Sequence, residues 1–191
     1  MRCYSCHCLS LKVLCHDCRT TLFEPSITKR KIGTLEVFSF YKYSAIESLL
    51  LSKHKPEGYR IFGEFARMTM QPFIRRYTET ATEPVFVIGV DEQIKNGYSH
   101  VARMVRQMKT PHSKPLHISL LSQNRVTYAG KTLQYRLDNP RDFRYRGKGG
   151  IDAILVDDII TTGITLQEAH KTLLQHGVNV LFALTLADAR E

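Results

Sequence analysis

Residues 154–165 read ILVDDIITTGIT. An apolar run ends on two adjacent carboxylates, and a turn of threonines with one glycine leads into TLQEAHKTLLQHG (165–177). The second segment reads as a helix, with Leu166, Ala169 and Leu173 on one face and Gly177 at its C-terminal cap. Side chains alternate across a strand, so Asp157 and Asp158 project to opposite faces. The first N–H groups of a helix lack intrahelical partners and sit at the positive end of its dipole. Threonine hydroxyls add donors, and Gly163 lets the backbone approach a ligand closely. Thr161, Thr162, Gly163 and Thr165 therefore read as a cradle for one phosphate, and Asp157 and Asp158 as acceptors for vicinal sugar hydroxyls or ligands for Mg(II). The glycines and lysine of a P-loop or a dinucleotide fingerprint are missing.

The surrounding pattern supplies the fold. PVFVIGV (84–90), LHISLL (116–121), IDAILV (151–156) and VNVLFALTLA (178–187) read as buried strands, and GYSHVARMVRQMK (97–109) as a helix between the first two. Upstream, GTLEVFSFYKY (33–43) reads as a strand or hairpin arm. SAIESLLLSKHK (44–55) reads as a helix capped by Ser44 and Glu47, and 59–77 as helical with a kink or break at Pro72. Residues 122–150 show no periodicity and are expected to form a long loop or lid. Strands alternating with helices imply an α/β fold, a parallel sheet flanked by helices, with ligands beyond the C-terminal strand ends.

All five cysteines lie in the first 18 residues. Cys3-x-x-Cys6 and Cys15-x-x-Cys18 supply two thiolate pairs, enough for a tetrahedral Zn(II) site in a head too short to fold on its own core. Cys8, His7 and His16 lie inside the cluster as alternative ligands. The expected division is a zinc-binding module at 1–32 and an α/β domain at 33–191.

The net charge is +9, and residues 124–150 alone hold seven basic and two acidic groups. Basic excess favours polyanionic partners or phosphorylated ligands. No apolar run reaches membrane-spanning length, and the N-terminus lacks the apolar core of a signal peptide. A cytoplasmic location is expected, with peripheral membrane association compatible.

LVDDIITTGIT resembles the phosphoribosyl pyrophosphate (PRPP) motif of type I phosphoribosyltransferases, and a four-cysteine head before such a domain resembles the ComF family of competence proteins. Asn139 and Phe143 within 122–143, and Lys53, are similar in kind to residues of that family. The resemblance implies a type I phosphoribosyltransferase-like sheet with a small N-terminal zinc module. It implies that Asp157 and Asp158 meet ribose hydroxyls, directly or through Mg(II), and that Thr161, Thr162, Gly163 and Thr165 hold a 5-phosphate. It also implies handling of incoming single-stranded DNA at the cytoplasmic face of the inner membrane, beside proteins of a DNA-uptake machinery. Lys131, Arg136, Arg141, Arg144, Arg146 and Lys148 are the candidate DNA or lid contacts, with Tyr128, Tyr135, Phe143 and Tyr145 interleaved as stacking faces.

One segment departs from the family. Where a pyrophosphate loop is expected, IGVDEQIKNGYSH (88–100) keeps Gly97 and Tyr98 in kind but has Asn96, Ser99 and His100 in place of Arg, Asn and Gln. Asp91 and Glu92 add negative charge, which Lys95 partly offsets. Three functions follow: DNA handling with a phosphoribosyl site, an active PRPP-dependent transferase, or a non-catalytic PRPP or nucleotide sensor.

Overall fold

The computed structural model describes residues 1–190 apart from 95, 96, 125, 127, 129 and 131. Eight strands are described: β1 (Thr28–Ile32), β2 (Leu35–Lys42), β3 (Val85–Gly89), β4 (Ser113–Pro115), β5 (Leu120–Ser122), β6 (Phe143–Tyr145), β7 (Ile151–Ile160) and β8 (Val178–Asp188). Six α-helices accompany them: α1 (Tyr43–Leu50), α2 (Gly58–Met68), α3 (Met70–Tyr77), α4 (His100–Gln107), α5 (Leu133–Asp138) and α6 (Ile164–Gln175). The main sheet runs β1-β2-β8-β7-β3-β4, and β5 pairs with β6 as a separate ribbon. Every pairing in the main sheet is parallel except that of the edge strand β1 with β2. The α/β architecture expected from the strand–helix alternation is present, with β1 as an antiparallel edge.

Strand alternation sorts β7 between two cores. Ile154 and Val156 pack on one face with Ile46, Phe62, Phe65, Ile74 and Met104 from α1–α4. Ala153 and Leu155 pack on the other with Leu166, Ala169 and Leu173 of α6 and with Phe143 and Tyr145 of β6. Burial on both faces accounts for the near-continuous apolar runs. Asp158 shares the face of Ile154 and Val156, where it meets Lys53 and His100.

Local expectations are corrected at five points. Strand β7 continues through both aspartates to Ile160, because β8 stays in register with it as far as Ile160↔Asp188. Residues 116–119 belong to no strand; β4 lies before them and β5 after. Residues 122–150 contain α5 and β6. Glu168 of α6 secures that segment by accepting the N–H groups of Arg141 and Asp142 at 3.1 and 2.6 Å. The N-cap of α1 is Lys42 and no side chain caps it, so Ser44 and Glu47 form no capping box. The 59–77 helix breaks at Thr69 (φ −119°) and not at Pro72. Pro72 has no N–H and its ring crowds the carbonyl four residues back, so the disruption falls in the turn before it.

The cysteine head packs into the α1–α4 core. Cys3, Val13, Leu14, Cys18 and Phe23 are buried there. Phe23 meets Phe65 edge-on at 5.7 Å, Tyr41 Oη donates to the Phe23 carbonyl at 3.0 Å, and Arg19 reaches Glu64 at 3.6 Å.

Candidate functional site

The C-terminal end of the sheet gathers the residues of interest. Asp158 is 8% exposed and its Oδ2 accepts from Lys53 Nζ at 3.0 Å and His100 Nε2 at 3.2 Å. Its Oδ1 accepts the N–H of Ile159 at 2.8 Å. Lys53 lies in a short 3₁₀ turn (Leu51–His54), which Tyr98 Oη steadies by donating to the carbonyls of Lys53 and Lys55 at 2.9 and 3.0 Å. His100 opens α4, whose N-cap Ser99 accepts the N–H of Ala102 at 3.1 Å, and its ring packs on Phe62. Burial pushes the Asp158 carboxyl up, but the neighbouring His100 and Lys53 outweigh it and hold the group far below the ordinary range. Lys53 is raised in return, chiefly by Asp158.

Asp157 is in a different state. Its Oδ1 accepts the N–H of Asp158 at 2.8 Å. Burial, then repulsion from Asp158, push its carboxyl well above the usual value, and Arg141 offsets only part of this. Asp158 is already charge-compensated, whereas Asp157 is the carboxylate that gains from hydroxyl donors or a cation. A hard cation such as Mg(II) fits this oxygen ligand.

After Ile160 the chain turns through Thr161 and Thr162, both exposed, to Gly163 at φ +86° as N-cap of α6. The first intrahelical bond runs from Gln167 N–H to the Gly163 carbonyl at 2.9 Å, so the N–H groups of 164–166 are free of the helix ladder. Two arginines converge on the turn. Arg30 of β1, with a side chain 8% exposed, donates through Nη1 to the Thr161 carbonyl at 2.8 Å and to Asp188 at 3.1 Å. Arg136 of α5 donates to Thr161 Oγ1 at 2.7 Å. The Nε atoms of Arg30, Arg136 and Arg141 are buried with no hydrogen-bond partner among the described residues. Sequence reasoning assigned Arg30 no role; its signal was the basic run at 29–31.

The segment after β3 is built differently from a charged loop awaiting a ligand. Asp91 accepts from Ser122 N–H at 3.1 Å and pairs with Arg141 at 3.2 Å. Glu92 is buried, accepts Ile118 N–H at 2.7 Å and pairs with His117 at 3.1 Å. The hydrogen bond that His117 donates to Glu92 raises the histidine. Both carboxylates are thus compensated within the chain, which corrects the expectation of bare negative charge here. Lys95 and Asn96 lie outside the described residues.

The six basic candidates separate. Arg136 and Arg141 turn inward, as above. Arg144, Arg146 and Lys148 are exposed, and Lys131 lies outside the described residues. Tyr128, Phe143 and Tyr145 are buried, at 7%, 6% and 6% exposed, so they are core residues rather than stacking faces. Tyr128 lies under Arg141, 4.8 Å from ring centre to guanidinium, and donates to the Asn139 carbonyl at 2.7 Å.

At the other pole, the Sγ atoms of Cys3, Cys6, Cys15 and Cys18 all lie within 4.8 Å of one another. Cys3–Cys18 is 3.8 Å and Cys6–Cys15 3.6 Å. A tetrahedral ion with thiolates at about 2.3 Å has sulfurs about 3.8 Å apart, so the donor set fits such a metal. Burial opposes ionisation of Cys3, yet the N–H groups of Cys15, Cys6 and Ser5 bring it down to about 6. Cys8, His7 and His16 are exposed and outside the four-sulfur group.

No protein-family model matches the chain, and no curated protein matches it. Solved structures similar to it include phosphoribosyltransferases. A hypoxanthine phosphoribosyltransferase from Staphylococcus aureus aligns with TM-score 0.42 and 17% identity over 66% of this chain and 64% of that one. The adenine enzyme from Saccharomyces cerevisiae gives 0.43 and 13% over 85% and 83%. A hypoxanthine-guanine enzyme from Bacillus anthracis gives 0.41 and 20% over 66% and 68%. The chain thus spans slightly less than two thirds of the Staphylococcus aureus enzyme's length. The likeness is distant.

Proposed function

We propose that the chain binds a 5-phosphoribosyl ligand of the PRPP type and handles incoming single-stranded DNA during natural transformation. The observation that supports the ligand is Asp157, which forms no ion pair among the described residues, close in the chain to the free N–H groups at the start of α6. Asp157 would accept the ribose hydroxyls or hold Mg(II), which supplies charge neutralisation to the phosphates. Asp158, fixed by Lys53 and His100, positions the strand end. The N–H groups of 164–166, with the hydroxyls of Thr161, Thr162 and Thr165, would donate to the 5-phosphate, while Gly163 allows the close approach. Arg136 ties α5 to the same turn and would keep water from the ligand. The DNA role is supported by the four-cysteine head, the basic surface and the resemblance to competence proteins. In this reading 1–32 is a zinc module, 33–191 is the ligand domain, and the protein works in the cytoplasm at the inner face of the membrane. No described helix is long and apolar enough to cross a membrane.

The compensation of Asp91 and Glu92 favours a second reading, an active PRPP-dependent phosphoribosyltransferase, because the repulsion expected at a pyrophosphate position is reduced. A PRPP or nucleotide sensor would need the same site without turnover. Titration calorimetry with PRPP and Mg(II), combined with a pyrophosphate-release assay over a panel of bases, separates these. Wild-type binding that is lost in Asp157→Asn supports the site, and unchanged binding in that variant sinks it. Pyrophosphate release that depends on a base selects the enzyme.

A further inference from the structure

The site above occupies the C-terminal ends of the strands. At their N-terminal ends, where β3 and β4 begin, lies a separate pocket of about 510 Å³. Arg67 of α2, Arg75 and Arg76 of α3, and Lys109, Thr110 and His112 after α4 line it. Arg67 gives one nitrogen to Glu64 at 2.9 Å. Among the described residues no carboxylate pairs with Arg75, Arg76 or Lys109. Thr110 lines the pocket, and its hydroxyl is buried with no partner among the described residues.

Charge compensation of helix ends does not account for this arrangement. The C-termini of α3 and α4 together bring about one negative elementary charge to the area, and Glu79, the one acidic lining residue, brings another. Glu64 offsets Arg67, yet the three cations Arg75, Arg76 and Lys109 still exceed both. Arg75 and Arg76 lie in the last turn of α3, where they would serve its dipole, but Arg67 and Lys109 come from other elements. Three elements thus bring cations to the lining of one concavity, and a lining threonine has a buried hydroxyl with no partner among the described residues. The volume exceeds what one phosphate fills and falls in the range of ligand pockets.

We propose that this pocket is a second anion site, binding consecutive phosphates of a phosphodiester or polyphosphate chain. The choice of nucleic acid as the chain rests on the DNA-handling reading; the preference for phosphate rests on the pocket alone. It also gives DNA a surface that the buried Tyr128, Phe143 and Tyr145 do not offer.

The test uses the full-length, metal-loaded protein and two probes, a fluorescent oligothymidylate and inorganic tripolyphosphate. The variant R75Q/R76Q/K109Q removes exposed charges, with unchanged thermal melting as its folding check, and K31Q/K42Q/K171Q, at exposed lysines outside both sites, serves as a control of equal charge. The first variant is expected to lose about tenfold in oligothymidylate affinity at low salt and to lower the log–log salt slope by about two. The control is expected to leave both nearly unchanged, and PRPP binding is expected to survive in both variants. Tripolyphosphate binding that the first variant abolishes, with no oligothymidylate binding by wild type, supports the pocket and selects free polyphosphate, while the DNA reading fails. Equal losses in the two variants, wild-type affinity in the first, or no binding of either probe by wild type overturns the proposal.

Discussion

Two adjacent aspartates carry opposite burdens. Asp158 is held below its ordinary pKa, so its contribution to stability is present at neutral pH and is lost as pH falls below the unfolded carboxylate range. Asp157 is raised, so it favours the fold at low pH, and that contribution is lost as pH rises through its folded value. Asp157→Asn is therefore expected to stabilise the ligand-free protein at neutral pH by about 1 kcal/mol, with a smaller gain at pH 5, while removing PRPP binding. Lys53→Met is expected to cost roughly 1–3 kcal/mol, because it leaves a buried carboxylate with His100 alone. Thermal melting at the two pH values checks both, and a destabilised Asp157→Asn would contradict this assignment of burdens. The carboxylates themselves were legible as two like charges at a strand end. Their inequality was not, because Lys53 and His100 reach Asp158 from elements 105 and 58 positions away in the chain. Only the folded register shows which aspartate each cation meets.

Elements set how tightly the turn is held. Gly163 has φ +86°, and a Cβ there would collide with the side chain of Ile32 on β1. Gly177, at the other end of α6, has φ +72° but only ordinary contacts around it. Gly163→Ala is expected to cost about 2–3 kcal/mol and Gly177→Ala about 1 kcal/mol, since the first adds a clash to the same backbone strain. Urea unfolding measures both, and equal costs would show that β1 gives way easily. The turn, its glycine and α6 were readable because their residue types follow from local backbone rules. The contact with β1 was not, since an antiparallel edge strand in a basic run carries no alternation pointing to the sheet. The same limit applied at 122–150: α5 is short and β6 has three residues, too few for a period to show.

At the scale of the whole molecule, the cysteine head and the sheet share one core. The paired CxxC spacing announced a metal site, but nothing local indicated that Cys3, Cys18 and Phe23 would pack with Phe40 and Phe65. A head tethered only by its linker would lose its metal without consequence for the α/β domain. Here four thiols within 4.8 Å cannot all ionise without a cation, and Cys18 is pushed up to about 12 by burial and its sulfur neighbours. Removing a bound ion is therefore expected to open the floor of the α1–α4 layer, which also positions Lys53 and His100. Chelation, or Cys3→Ser, is expected to lower a single cooperative melting transition by roughly 10 °C and to weaken PRPP binding with it. Calorimetry with a colorimetric count of released metal tests this coupling. Full release of metal with the main transition and PRPP affinity unchanged would show instead that the head folds, and fails, by itself.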